Sequence, residues 1–171
     1  MFQKSRAFTL VELLIVIAII AILAAAVLVA VDPARRLHQS RNAQRWESVV
    51  TLLEAIKQYQ VDNDGDLPST SVAIDSVAAT VQIIGESVGS CGSLTCSGET
   101  VVGSNCGVSG LDTDLDGYVA RIPYDPTTGS GSNTRFFINK DDTESIIVGA
   151  CDEEGESAGG TGTPPTIEVR R

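Results

Sequence analysis

The sequence predicts an α+β protein: one long N-terminal helix, membrane-spanning in its first half and amphipathic in its second, packed on a small antiparallel β-sheet head. Three observations carry this. Residues 13–31 contain no polar or charged side chain, a run that reaches the roughly 18-residue length of a membrane-spanning helix. Over residues 34–59 the apolar side chains thin out and recur at three- and four-residue steps, the spacing of one helix face. Beyond residue 66 short β-prone runs alternate with clusters of Gly, Ser, Asn and Asp, which punctuate strands. The 171 residues therefore divide into a leader (1–7), an apolar helix (8–31), its amphipathic continuation (32–62) and a β-rich head with Gly/Ser-rich, cysteine-bearing loops (63–171).

The apolar helix is apolar on every side, unlike the helix of a soluble domain, which buries one stripe. Glu12 interrupts it near its start. An acidic side chain in a membrane helix costs about 2.5–3.5 kcal/mol at mid-bilayer and less at the interface. Either Glu12 lies close enough to the headgroups to stay wet, or a positive group from a partner neutralises it. Ala24, Ala25 and Ala26 suit both lipid contact and close approach of another helix. No small-residue cleavage site follows Val31, where the chain reads Asp-Pro-Ala-Arg-Arg; unlike a secretory signal, the helix stays with the product. Asp32-Pro33 predicts a kink, because proline inside a helix removes a hydrogen bond at a cost of about 3 kcal/mol.

In the amphipathic half, Trp46, Val49, Val50, Leu53 and Ile56 are expected on one face, laid on a sheet, with Arg35, Arg41, Gln44, Arg45 and Lys57 largely elsewhere. The two halves together form a rod over residues 8–62, about 80 Å at 1.5 Å per residue, so half of it stands outside a bilayer. Asp62-Asn63-Asp64-Gly65-Asp66, then Leu67-Pro68, stops it. In the head, the second half of 77–84 reads as a strand and 85–110 as irregular, with a short strand at 100–102. Leu111, Leu115, Val119 and Ile122 fall at helical spacing, with Ser109 or Asp112 as caps and residues 123–126 as the stop. Residues 134–138 and 144–150 predict a hairpin around 139–142, and 166–169 a last edge strand.

Lys4-Ser5-Arg6-Ala7 followed by Phe8-Thr9-Leu10-Val11-Glu12-Leu13 resembles the class III signal of type IV prepilins and pseudopilins. The resemblance implies that a prepilin peptidase cuts between Ala7 and Phe8 on the cytoplasmic side and methylates the new Phe8 amine. It implies also that Glu12, fifth from the cut, pairs with the Phe8 amine of a neighbouring subunit. Ala7 stands where the family usually has Gly, which points to slower processing. Residues 62–68 resemble the helix-terminating loop of that family, and IPYDPTTG, RFFINK and IIVGAC resemble the distal halves of small bacterial type IV pilins. The implied fold is the pilin fold. The implied function is a structural subunit polymerised through its N-terminal helix into a surface filament. Its implied partners are copies of itself, prepilin peptidase, a pilus assembly platform with minor pilins, and membrane lipid before assembly. Its implied location is the cytoplasmic membrane, single-pass with the N-terminus inside, and then the cell surface. A pseudopilin of a type II secretion or DNA-uptake system, and a membrane-anchored extracytoplasmic binding domain that never polymerises, are the alternatives.

Net charge is −10, with eighteen acidic and five basic residues from Asp62 onward. That argues against nucleic acid as a ligand of the head as a whole. Between Arg35 and Lys57 the balance reverses, and a basic neck beneath an acidic head suits stacking of like subunits. Counted alone, Lys4 and Arg6 before the apolar run against Arg35, Arg36, Arg41 and Arg45 after it place the head in the cytoplasm. The resemblance and four cysteines in a Gly/Ser-rich head, which suit an oxidising compartment, place it outside. Four cysteines allow three pairings; the expected ones are Cys91–Cys96, closing a small loop, and Cys106–Cys151. A four-cysteine zinc site lacks its C-x-x-C pairs, and no cofactor is expected. Asp112, Asp114 and Asp116 imitate the opening of a calcium loop, D-x-D-x-D-G, but Pro123 stands where a bidentate Glu is required; the same residues fit the outward face of a helix. His38, the single histidine, lies beside the apolar run and reads as a polar group at headgroup level. No nucleophile elbow, zinc-protease motif or phosphate loop appears, so no enzyme is expected.

Overall fold

The structure, a computed structural model, describes residues 8–68, 80–85, 96, 100–101, 107–108, 110–141, 143 and 145–171. The leader with Ala7, residues 77–79, Cys91, Cys106 and Ser109 lie outside the described residues.

Thr9 opens the rod. Its extended backbone and side chain form a capping box with Glu12: Glu12 N donates to Thr9 Oγ1 (3.2 Å), and Thr9 N donates to Glu12 Oε2 (2.8 Å). Helix α1 (Leu10–Val31) follows, with no buried residue. At Asp32 the backbone turns left-handed (φ 44°), and Pro33 opens α2 (Pro33–Asp62) in its first turn, where a missing N–H is harmless. The expected kink is a one-residue interruption at Asp32 within the long helix of residues 10–62. Asp64 and Gly65, both at positive φ, close α2, and Gly65 N reaches back to Gln60 O at 2.8 Å.

The buried face of α2 carries Asn42, Arg45, Val49, Leu52, Leu53, Ala55 and Ile56. This corrects the expected face: Trp46 (40% exposed) and Val50 (38%) point away from the sheet, while Arg45 is fully buried. Trp46 and Val50 each follow a buried residue by one position, about 100° around the helix. Two polar members of the true stripe, Asn42 and Arg45, made it look like the outside.

The sheet runs β2-β1-β4-β5-β6, with β3 also on β1. Strands β1 (Thr80–Ile84), β4 (Phe136–Lys140), β5 (Ile146–Ala150) and β6 (Glu168–Arg170) pair antiparallel. The two-residue strands β2 (Thr100–Val101) and β3 (Gly107–Val108) lie parallel to β1. The sheet is therefore mixed rather than antiparallel throughout, because the segments after β1 return along its free edge in the same direction. Alternation along β4 and β5 splits the core. Phe136, Ile138, Ile146, Val148 and Ala150 meet Val49, Leu52, Leu53 and Ile56 of α2, while Phe137 and Ile147 join Val81, Ile83, Cys96 and Cys151 on the other face. Gly149 is needed between them, since a Cβ there would sit 2.3 Å from Phe137 Cζ.

The expected helix through Ile122 is a single turn, α3 (Leu111–Asp114), opened by Gly110 without a side-chain cap. Asp112 does not cap it. Gly117, at φ +95°, turns the chain, yet Leu115, Val119 and Ile122 still pack inward. The hairpin strands begin two residues later than expected. Cys96 is bonded to Cys151, which replaces both expected pairings.

A separation of 55 residues makes this crosslink worth about 4 kcal/mol on the chain-entropy model. Non-reducing peptide mapping should recover Cys96 joined to Cys151. Cys151→Ser should lower the unfolding free energy of the head by about 2–5 kcal/mol in urea; an unchanged midpoint would remove the bond from the fold's support.

Candidate assembly site

Phe8 and Glu12 sit at the tip of the rod, Phe8 80% exposed. A cut between Ala7 and Phe8 places a new amine directly before the Thr9 cap. Thr9 N and Thr9 Oγ1 both donate to Glu12 Oε2 (2.8 and 2.7 Å), leaving Oε1 to a further donor. Within a single chain the capping box therefore holds Glu12 in place and uses only part of its acceptor capacity. The apolar helix behind it reaches a mean hydropathy of 3.4, and among the described residues it is the one helix long and apolar enough to cross a membrane.

At the other end of α1 the head grips the break. Asp32 Oδ1 accepts from Arg35 N (3.3 Å), and Asp32 Oδ2 accepts from Gly159 N of the head (2.7 Å). From there residues 154–159 run back along α2 as a clasp. His38 Nδ1 lies 2.9 Å from Gly155 O, and Arg41 Nη1 donates to Glu154 Oε1 at 2.9 Å. Asn42 Nδ2 donates to Glu154 O and to Glu156 Oε1, both at 2.7 Å. His38 is thus packed against the head, and a side chain at Gly160 would meet its ring at 2.7 Å.

Arg45 anchors the clasp. Its Nε and Nη2 donate to Asp125 Oδ2 and Oδ1 (2.6 and 3.3 Å), and its Nη1 donates to Glu154 Oε2 (3.2 Å) and Asn42 Oδ1 (2.9 Å). The Arg45 and Asp125 side chains are both fully buried. Burial lowers the Arg45 pKa, but the pairing with Asp125 and then Glu154 outweighs it, so the net shift is upward. Burial also pushes the Asp125 carboxyl up. The Arg45 guanidinium, the Thr127 hydroxyl and the amides of Thr127 and Thr128 pull it further down, to about 2. Nearby, Arg135 holds Asp152 bidentately through Nε and Nη2 (2.6 and 2.5 Å). Sequence reading missed this centre. Its signals were the polar interruption of the α2 stripe and an Asp-Pro-Thr-Thr turn whose Thr127 and Thr128 amides cap Asp125 Oδ1.

The basic neck is accordingly matched in part by the chain's own acids. Arg41 and Arg45 are paired within the chain, whereas Arg35 and Arg36 remain exposed. Asp112 and Asp116 are exposed too, and among the described residues no three His, Cys, Asp or Glu side chains gather to hold a metal. A cavity of about 220 Å³ opens beside them, floored by Ile84, Val108 and Leu111 and rimmed by Arg121 and Tyr124. The Arg121 guanidinium lies 4.9 Å over the Tyr124 ring.

Residues 2–28 match the family model described as the prokaryotic N-terminal methylation motif. No curated protein and no solved structure gives a match to the chain.

Removing one partner of a buried pair leaves the other charge uncompensated, so Arg45→Ala should destabilise the head by about 3–5 kcal/mol, read by urea unfolding. The pH dependence has a definite sign. The Asp125 pKa is depressed from 3.8 to about 2 on folding, so its contribution is complete only above about pH 5. It fades as the unfolded chain protonates first, and is gone below about pH 2; about 2 kcal/mol is at stake. Asp125→Asn should flatten that acid limb, and an identical acid transition in the variant would contradict the assignment.

Proposed function

We propose that this chain, which carries the class III signal of type IV pilins and pseudopilins at residues 2–28, is a structural subunit of a type IV pilus. Prepilin peptidase removes residues 1–7 and methylates the Phe8 amine. The product stays in the cytoplasmic membrane through α1, with its head on the far side. An assembly platform then lifts it into a helical polymer in which α1 leaves lipid for a bundle of identical helices. The work done is assembly, and no step needs a catalytic group of the chain itself.

The observation that carries this reading is the tip of α1. A single acid stands at its first turn, with one carboxylate oxygen already engaged by Thr9 and the other open, and no part of the head covers the helix behind it. A plain membrane anchor uses that acid only to complete the Thr9 cap and leaves its second oxygen without a donor. A neighbour's Phe8 amine, positive at neutral pH because α-amino groups titrate near about 8, completes it. Each subunit then presents one acid and one amine, so each pair adds one more copy.

Intact-mass and N-terminal analysis of the membrane form should show a chain beginning at methylated Phe8. Glu12→Ala should insert in the membrane at normal levels. It should cut the sheared filament fraction at least about tenfold, since a desolvated ion pair broken at one partner costs about 3–5 kcal/mol. A product that keeps Met1, or wild-type filament yield from Glu12→Ala, would refute the reading.

A further inference from the structure

The part of the head that reaches down to the start of α2 differs in charge from the rest of it. Eighteen acids lie from Asp62 onward, yet residues 157–167 carry no charged side chain. Their first turn is closed by Ser157 N donating to Thr161 O at 2.8 Å, and Gly159 N ties it to Asp32 Oδ2. The acids just before it, Glu154 and Glu156, are turned onto Arg41, Arg45 and Asn42. Arg35 and Arg36 are exposed at the same end of α2, and among the described residues neither forms an ion pair or donates a side-chain hydrogen bond. Both stand in the first turn of a helix, where a cation lies against the dipole. Asp32, the acid beside them, has each oxygen engaged by a backbone N–H, of Arg35 and of Gly159.

We infer that this foot of the head rests on a surface of anionic phospholipid, with the Arg35 and Arg36 guanidinium groups on lipid phosphates. This rests on the membrane-held form proposed above and adds the class of lipid and the residues that meet it. Position and charge point to the same partner. The 22 residues of α1 span about 33 Å, against about 30 Å of hydrocarbon. The first turn of α2 therefore begins in the headgroup layer, roughly 5–7 Å deep, where phosphates lie and planar guanidinium groups pair with them. An acidic head is repelled by an anionic surface. Here the stretch nearest the lipid is free of acids, and two arginines without a partner in the chain stand beside it. The exposed acids nearest along α2, Glu47 and Glu54, follow Arg36 by eleven and eighteen residues. Those steps are about 16 and 27 Å within one uninterrupted helix, beyond the reach of about 8 Å that charge has in physiological salt.

The test uses the full chain in vesicles of equal parts phosphatidylglycerol and phosphatidylcholine. The chain is recovered in mild detergent and the phospholipid that stays bound is identified by mass spectrometry, with the inserted fraction as the control for folding. Wild type should retain phosphatidylglycerol in preference to phosphatidylcholine. Arg35→Gln with Arg36→Gln should lower that preference at least about fivefold, the effect of one arginine at an anionic surface, while Arg35→Lys with Arg36→Lys should keep it. Lys4 and Arg6 of the leader are common to all three chains, so the difference reports α2 alone. Inorganic phosphate, matched to chloride in ionic strength, should leave the bound lipid in place. Equal retention of both lipids by wild type, an unchanged preference in the Gln variant, or displacement by phosphate alone would each overturn the lipid-facing foot. The Glu12 requirement for filaments would survive any of these. A wild-type chain that fails to enter the vesicles would sink both.

Discussion

A helix that is apolar on every side tolerates only two surroundings, hydrocarbon or other apolar helices, and the rest of this chain is arranged around that demand. Through α1 the larger apolar side chains are about half to four-fifths exposed, and each Å² kept from water is worth about 25 cal/mol. The backbone raises no objection to either setting, because a helix satisfies its own hydrogen bonds. What tells the two settings apart is therefore not the apolar surface but its few exceptions, the acid at one end and the charged, proline-marked break at the other.

The break is built rather than loose. A non-glycine residue in the left-handed region needs local compensation, and Asp32 finds it twice, in Arg35 N and in Gly159 N of the head. The same side chain thus caps α2 and ties the exit of the rod to the head. Above it the clasp gathers His38, Arg41, Asn42 and Arg45 against residues 154–156. A buried pair such as Arg45–Asp125 adds little net stability over well-packed apolar residues. Its effect lies in allowing one seating of the head on α2, since any rotation would strand two charges in the core.

The parts of this fold legible in the sequence are those fixed by local chemistry. Hydropathy gave α1, Asp32-Pro33 gave the interruption of the rod, the Asp/Asn/Gly cluster at 62–66 gave the stop, and two β-prone apolar runs either side of the Asn/Lys/Asp cluster at 139–142 gave the hairpin of β4 and β5. The parts that were not legible depend on residues far apart. Arg45 could be placed inside only with knowledge of Asp125, eighty positions on, and once it was put outside, Trp46 and Val50 went inside in its stead. β2 (Thr100–Val101) falls within the short strand expected at 100–102, whereas β3, two residues long, carries no periodicity to read, and the parallel pairing of both with β1 follows from the path of the chain. The stretch after Leu111 kept its inward apolar residues and lost its helix, because Gly117 at positive φ serves a turn that packs the same side chains. Cys96 and Cys151 are partners by tertiary proximity, which spacing does not encode.

On the filament reading, the acid at the tip decides register where packing does not. Leu, Ile, Val and Ala surround α1 so evenly that sliding one helix past another by a turn, about 5.4 Å, exchanges similar side chains. The ion pair does not share that indifference. At an effective dielectric of about 20, opposite charges attract by roughly 4 kcal/mol at 4 Å and by about half that when one turn further apart. Each subunit therefore gains about 2 kcal/mol by taking the correct level, repeated along the polymer. Before assembly the same acid lies at the end of the helix, where the penalty for a carboxylate is smallest and Thr9 already holds it. One residue is thus tolerable in lipid, satisfied in the bundle, and unfavourable at every intermediate register.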